Sequence, residues 1–314
     1  MTDTLTIAVT GATGFLGGHV IRAARDRGHH VRALSRNPKP LGSDDGVRWI
    51  TGTLEDKAGL AELVSGADVV VHAAGAIKAL SRDAFFRVNR DGTRAVADAA
   101  AHAGVKRFVL VSSLAAREEK LSPYAASKRA AEMVADEYAQ KFDTVILRPP
   151  AIYGPGDQET VRLFQMAVNG FLIAPGSADA RMSLVHVGDV AEAVLVCCQG
   201  DQGPAPLEID DGKAGGYSWQ DLADAASKGV DRPTKLVHLP NIFVWVMGFV
   251  GSLKALLTRS PAMLTLGKVP ELRHRDWVAA GPRPEGWQPN WGLEAGFKDA
   301  IDWYCSQNVL KRYF

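Results

Sequence analysis

The stretch "TGATGFLGGHVI", Thr10–Ile21, follows a β-branched run and opens a helical pattern. Its glycines, Gly11, Gly14 and Gly17, are spaced three and three. Each has a separate task in such a turn. Gly11 permits the sharp bend, Gly14 lets backbone approach a pyrophosphate, and Gly17 lets the helix pack on the strand. The phosphate then meets free N–H groups and the positive end of the helix dipole. Thr13, Phe15 and Leu16 complete the expected contacts of this turn with a dinucleotide. The competing reading, glycines as punctuation at a strand–helix junction, has to be weighed against what surrounds the turn.

Outward from the turn, short apolar runs alternate with longer helical patterns. Strands are expected at Thr4–Thr10, His30–Leu34, Val47–Thr51, Val69–His72, Arg107–Ser112 and Thr144–Arg148. Helices are expected at Phe15–Arg27, Ala58–Leu63, Asp83–Ala103 and Tyr124–Lys141. Strands that are apolar throughout suit a parallel sheet covered on both faces. The alternation predicts an α/β fold with a doubly wound parallel sheet. After Pro149 the pattern loosens, with Gly and Pro clusters such as "PPAIYGPGD" and "GPRPEGWQPNWG". A helix at Val187–Cys198 and strands at Leu207–Ile209 and Lys235–His238 are expected there. The division that follows is a dinucleotide-binding domain over 1–155, with 181–210 returning to it, and a smaller substrate-binding region over 156–314.

The 314 residues suffice for a substantial core, and 46% of them are hydrophobic. With 36 basic and 35 acidic side chains the net charge is +1, which gives no footprint for nucleic acid. Cys197, Cys198 and Cys305 form no disulfide framework and no metal-ligand spacing, so reduced thiols in the cytoplasm are expected. The chain enters a strand almost at once, which leaves no room for a signal peptide before it. The end of the second strand, "VRALSRNPK", carries no acid to hold the ribose hydroxyls of NAD. Arg36, with Ser35 and Arg32, favours the 2′-phosphate of NADP(H) over NAD(H).

Several further motifs stand in order: "VVVHAAG", "FFRVNRDGT", "VLVSSLAA", "YAASK", "LRPPAIYGPGD" and "LVHVGDVAEAV". Together with the glycine turn they resemble the extended branch of the short-chain dehydrogenase/reductase superfamily, from Thr4 to about Ala193. The resemblance implies a Rossmann fold and a nicotinamide cofactor at the carboxyl ends of the strands. In "YAASK", Tyr124 and Lys128 are four apart, so a helix puts them on one face. By the resemblance Tyr124 is the catalytic acid/base, and Lys128 lowers its pKa and holds the nicotinamide ribose. Ser113 orients the substrate oxygen, with Ser112 in reserve, and Asn89 supports the lysine. The resemblance also implies cofactor contacts at Ala73, Ala74, Gly75 and Leu54, and at the loop from Pro149 to Ile152. Thr53 stands where the family often has an aspartate, so the adenine contact there departs from the pattern. Dimerisation through Asp83–Ala103 and Tyr124–Lys141 is a further implication.

The substrate is argued from the second half. A sugar-nucleotide reading needs anchors for a diphosphate, and by the resemblance epimerases of this branch usually carry an asparagine after "YGPG" and an arginine four residues before the histidine of "HV". Here the segment is "DQETVRLFQMAVNGF", and the four-before position is Met182, with Arg181 beside it. The stretch "LPNIFVWVMGFVGSLKALLT" is instead apolar on every side. Three readings stand for residues 242–257. They form a buried helix, a lid over an apolar pocket, or a peripheral membrane contact at the inner face of a membrane, flanked by Lys254, Arg259 and Lys268. The last two imply a lipophilic substrate. The expected activity is NADP(H)-dependent interconversion of a ketone and a secondary alcohol on a lipid such as a keto-sphingoid or oxidised ceramide. The alternatives are a sugar-nucleotide epimerase or dehydratase with tightly bound NAD, and a non-catalytic cofactor-binding module.

Overall fold

The computed structural model describes residues 4–37, 46–262 and 264–310. Up to Arg148 the chain forms β1 (Thr6–Thr10), α1 (Phe15–Asp26), β2 (His30–Ser35), β3 (Val47–Thr51), α2 (Lys57–Val64), β4 (Val69–His72), α3 (Arg82–Phe86), α4 (Gly92–His102), β5 (Arg107–Val111), α5 (Pro123–Asp136) and β6 (Asp143–Arg148). Then follow β7 (Ala151–Tyr153), α6 (Val161–Val168), β8 (Phe171–Ala174), β9 (Arg181–Met182), β10 (Leu184–His186), α7 (Val187–Cys197), β11 (Leu207–Glu208) and α8 (Trp219–Val230). The last elements are β12 (Lys235–His238), α9 (Asn241–Thr258), α10 (Val269–Leu272), β13 (Asp276–Trp277) and α11 (Leu293–Ser306).

Two compact units result. The first comprises Met1–Arg148, Ala191–Glu208 and Gly281–Trp287; the second comprises the remaining segments. The first unit thus ends at Arg148 and not at 155, because β7 leaves the main sheet and pairs with β10. The returning segment is 191–208 and not 181–210. A second return at 281–287 lies in the Gly/Pro cluster "GPRPEGWQPNWG", which carries no helix or strand pattern to place it; the Glu208 N–H donates to the Pro282 carbonyl there.

The first unit is built on a seven-stranded parallel sheet in the order β11-β6-β5-β4-β1-β2-β3. Val69–Val71 and Phe108–Leu110 are buried on both faces, as parallel strands between helical layers must be. The strand order reverses beside β1, where β4 pairs on one side and β2 on the other. Ligands of open α/β sheets bind at such a switch, outside the carboxyl ends of the strands. Residues 11–17 and 73–75 leave β1 and β4 at that end.

The helical stretch expected at Asp83–Ala103 is not regular. A π-helical turn, Arg87–Asp91, joins α3 to α4. The Thr93 hydroxyl donates to the Asn89 carbonyl at 2.6 Å within it. Wide turns of this kind are common at functional sites.

The second unit has small parallel pairs, β7–β10, β8–β12 and β9–β13, beside a helical core. Phe297 is central to that core, edge-on to Tyr153 at 5.1 Å and to Phe164 at 5.0 Å. In α9 only Val244, Gly248 and Ala255 are buried. A Cβ at Gly248 would come within 2.6 Å of Val269, and one at Gly251 within 1.9 Å of the Leu264 carbonyl. Those glycines let α9 lie close against 264–269, which fixes its inward face. The other faces carry ten large apolar side chains between Ile242 and Leu257, each 40% to 75% exposed.

Candidate active site

The glycine turn is shaped for a ligand backbone. Gly11 adopts φ +71°, and a Cβ on it would lie 2.6 Å from the Ala74 nitrogen. A Cβ on Gly17 would lie 2.1 Å from the Gly11 carbonyl oxygen, so the helix start packs directly on the turn. Gly14 is the N-cap of α1 and has no side chain to cap it. The N–H groups of the first turn, at Phe15 and Leu16 among others, therefore keep their capacity for an anion. Thr13, Ala73, Ala74 and Gly75 lie in the loops around this turn. These features fit the pyrophosphate of a dinucleotide.

Tyr124 and Lys128 sit on α5, which starts where its sequence says it should. Ser122 caps it by accepting from the Ala125 N–H at 3.0 Å, and Pro123 occupies the first turn. The Tyr124 ring is half-buried and lies 6.1 Å from the Phe85 ring. Lys128 is buried, and its ammonium donates to the Val111 carbonyl at the end of β5 at 2.7 Å. Burial pulls its pKa down to about 8, against the opposing influence of Glu132. A Cβ at Gly75 would sit 3.2 Å from Asn89 Oδ1 and 3.6 Å from Lys128 Nζ. Gly75 therefore leaves room beside both groups.

Asn89, on the π turn, is pinned on three sides. Its Oδ1 accepts from the Ala76 N–H at 2.7 Å, and its Nδ2 donates to the Ala76 carbonyl at 3.1 Å and to Ser127 Oγ at 2.8 Å. Ser127 in turn donates to the Tyr124 carbonyl at 2.7 Å. Asn89 thus ties the loop after β4 to the first turn of α5.

The two serines after β5 separate cleanly. The Ser112 hydroxyl is buried and donates to Glu132 Oε1 at 2.5 Å, and its N–H donates to the Leu147 carbonyl at 2.8 Å. Ser113 caps a short 3₁₀ turn, Leu114–Glu118, by accepting from the Ala115 N–H at 3.2 Å. Accepting leaves its own proton to donate.

Other expected residues fall elsewhere. Leu54 is partly buried and packs on Gly92 of α4. Asp56 caps α2 through the Ala58 and Gly59 N–H groups, both at 3.1 Å. Arg36 is exposed, one residue past β2. Pro149 and Ile152 belong to the second unit, where Ile152 pairs with Val185.

Some polar partners had no role in the sequence reading. His72 is wholly buried: the Thr10 hydroxyl lies 2.6 Å from its Nδ1, and Nε2 lies 3.1 Å from Thr93 Oγ1. Thr93 gives its proton to the Asn89 carbonyl, so the consistent arrangement has His72 Nε2–H donating and Nδ1 accepting. Burial, with the nearby Lys128 charge, drops the His72 pKa to about 3, so the ring is neutral. A chain of hydrogen bonds thereby runs from the end of β1 to Asn89. A lone histidine closing the apolar run "VVVH" was its only signal. Glu132 was signalled by continuing the spacing of Tyr124 and Lys128 one more turn.

Comparison with known proteins agrees with this geometry. The NAD dependent epimerase/dehydratase family model matches residues 7–209. The chain belongs to that family. It is an NAD(P)-dependent enzyme of the extended short-chain dehydrogenase/reductase type. It is 41% identical over 313 residues to a ceramide reductase of Caulobacter vibrioides, covering 98% of this chain and 96% of that one. A 2-alkyl-3-oxoalkanoate reductase of Stenotrophomonas maltophilia is 33% identical over 208 residues, covering 60% of this chain and 63% of that one. Among solved structures, MoeE5 in complex with UDP-glucuronic acid and NAD superposes with a TM-score of 0.72 over 96% of this chain and 99% of that one. At 22% identity that likeness shows the shared fold.

Proposed function

We propose that this enzyme is an NADP(H)-dependent ketoreductase whose substrate is a long-chain lipid ketone, of the keto-sphingoid or oxidised ceramide kind. The observation that carries the substrate class is α9. Ten large apolar side chains stand exposed on one helix, in the unit that does not hold the glycine turn. A patch of this kind marks a partner or a lipid. The near full-length relatedness to a ceramide reductase runs through this helix as well. The NADP(H) preference rests on Arg36 at the end of β2, where family members that use NAD carry an acid.

The chemistry follows from the residues in the first unit. A nicotinamide cofactor held by the glycine turn at residues 11–17 and by the loop at residues 73–75 would supply the hydride for reducing a ketone to a secondary alcohol. Ser113 donates its hydroxyl proton in a hydrogen bond to the substrate oxygen and orients it. Tyr124 gives its phenolic proton to that oxygen as negative charge develops there. The Lys128 ammonium favours the resulting phenolate. Its bond to Val111 holds the charge in place, and Asn89 fixes the α5 turn on which Tyr124 sits.

α9 also serves to seat the chain on a lipid surface at the inner face of a membrane. Its 18 residues span ~27 Å, and one side is held against 264–269, so it lies in the interface and does not cross it. It contains no acid; Lys254 is exposed near its end and Arg259 follows it. Lys268 is matched by Glu271 at 2.5 Å and adds less to this basic edge.

The test is NADPH oxidation by the purified chain with a 3-keto long-chain base or an oxidised ceramide in mixed micelles. Turnover that is much faster with NADPH than with NADH is expected. Turnover of UDP- or dTDP-sugars with retained NAD, and no oxidation of NADPH by the lipid ketones, would overturn the reading.

A further inference from the structure

Below the catalytic pair lies a buried ionic network that the proposed chemistry does not itself use. Glu132, fully buried, is one helical turn beyond Lys128 on α5. Its Oε1 accepts from Ser112 at 2.5 Å and from Arg148 Nε at 2.8 Å. Its Oε2 accepts from Arg148 at 2.6 Å and from Arg129 at 3.1 Å. Arg148, at the end of β6, also lies 3.7 Å from Glu208 of β11, and Glu208 lies 3.9 Å from Arg117. The network thus joins α5, the ends of β5, β6 and β11, and the turn after Ser113.

A buried ion pair is a weak source of stability, because removing both charges from water costs about as much as their attraction returns. A carboxylate placed here calls for another account. Two consequences of its position supply one. First, by taking the Ser112 proton it fixes that serine as an anchor and leaves Ser113 as the hydroxyl for substrate. Second, it is an acidic side chain one turn from the buried Lys128 ammonium, on the same helix face.

We propose that Glu132 is a positioning residue for the Tyr124–Lys128 pair: its carboxylate locks Ser112 and the end of β5, and its negative charge, one turn along the same helix face, favours the ammonium form of Lys128. The proposal rests on the reading of Tyr124 and Lys128 given above. The charged and titratable groups around Lys128 are few. His72 from β4 is neutral, Tyr124 and Glu132 share its helix, and Asn89 and the Val111 carbonyl contribute only dipoles. Glu132 itself faces Arg129 and, more distantly, Asp136 from α5, and Arg148 from β6, with Glu208 and Arg117 behind Arg148.

The experiment titrates Lys128 directly, by NMR of the full chain carrying ¹³C-labelled lysine, with Lys128→Met for assignment. Glu132→Gln keeps the shape and removes the charge, so the Lys128 midpoint should fall by about one pH unit. Arg148→Gln strips a cation from Glu132, so the midpoint should rise. Near-UV circular dichroism checks that each variant is folded, and Glu132→Asp, which keeps the charge, should hold the midpoint near that of the unaltered chain. The alkaline limb of ketone reduction should move in the same two directions. A helix tether with no electrostatic role would weaken folding in both variants and shift neither midpoint. Unmoved midpoints, or shifts of one sign in both, would overturn the proposal. Should Glu132→Gln not fold, an unmoved or lowered midpoint in Arg148→Gln overturns it alone. A Tyr124→Phe chain that still turns over would remove the acid/base reading while leaving the Lys128 titration as a separate result.

Discussion

Helices α5 and α9 invert the ordinary rule of burial in opposite ways. Charged side chains are almost never fully buried unless paired, and large apolar ones are mostly inside. In α5, Lys128 is buried against a backbone carbonyl, one turn from Glu132, which is buried in its ion pair with Arg148. In α9, the apolar side chains from Ile242 to Leu257 are mostly outside. Each departure costs something that a purely structural helix would avoid. On the function proposed above, the reaction and the substrate class depend on different units of the chain. The first is electrostatic and networked, and depends on exact partners. The second is an apolar surface, and depends on area.

The largest expected effect tests the electrostatic side. Tyr124→Phe keeps the ring and its packing on Phe85 but removes the proton donor. NADPH-dependent ketone reduction should fall by roughly 10²–10⁴-fold, the usual contribution of general acid catalysis. NADPH affinity, measured by fluorescence titration, should stay within a few fold. Equal turnover by the variant would end the comparison, since α5 would then bury its charges for no chemical reason.

The next effect measures what that burial costs. The Lys128 pKa is about 8 in the folded chain against 10.5 for an ordinary lysine. Below pH 8 the lysine is protonated in both folded and unfolded states, and the folded state carries the full cost of a buried charge. Between pH 8 and 10.5 the unfolded chain holds a proton that the folded chain has lost, so stability rises with pH across that window. Lys128→Met should therefore be more stable than the unaltered chain at pH 7, by up to about 3 kcal/mol. The loss of the Val111 hydrogen bond reduces that gain. The advantage should shrink above pH 8 and vanish near pH 10.5, in urea titrations followed by circular dichroism. Activity should be lost at every pH.

The two helices were also unequally legible. The glycine turn, the alternation of strands and helices, and the Tyr124–Lys128 pair are local patterns, set by spacing along one segment. They placed the sheet, and they put Tyr124 and Lys128 on one helix, without knowledge of the fold. The Glu132 network was opaque because its partners, Ser112 and Arg148, lie 20 and 16 residues away and meet only when β5 and β6 pair. The π turn was opaque because a period of 3.6 and a single wide turn leave the same apolar pattern over so short a stretch. The resemblance already ranked Ser113 above Ser112; that Glu132 takes the Ser112 hydroxyl was not legible in the sequence. For α9 the composition was plain, but three readings survived because an apolar helix has no face until something packs on it. Gly248 and Gly251 define that face through their approach to 264–269.

The smallest effect sharpens the apolar side. Leu256 and Leu257 are 75% and 74% exposed, near the end of α9, so they contribute little to the folded core. Leu256→Ser with Leu257→Ser should change folding stability by no more than about 0.5 kcal/mol, as surface substitutions do. If α9 rests in a lipid interface, those side chains are buried only there. Fully burying a leucine is worth roughly 1.5–3 kcal/mol, and partial insertion of two would give about 2 kcal/mol. That is roughly a 30-fold loss of affinity for vesicles carrying anionic lipid, read by sedimentation. Added salt should weaken the unaltered chain by screening Lys254 and Arg259, while leaving the fold of the loss between the two chains nearly unchanged. A double variant that unfolds more easily, yet binds vesicles as before, would show that these leucines pack against protein. In that case α9 would follow the burial rule after all, and the contrast with α5 would reduce to the catalytic helix alone.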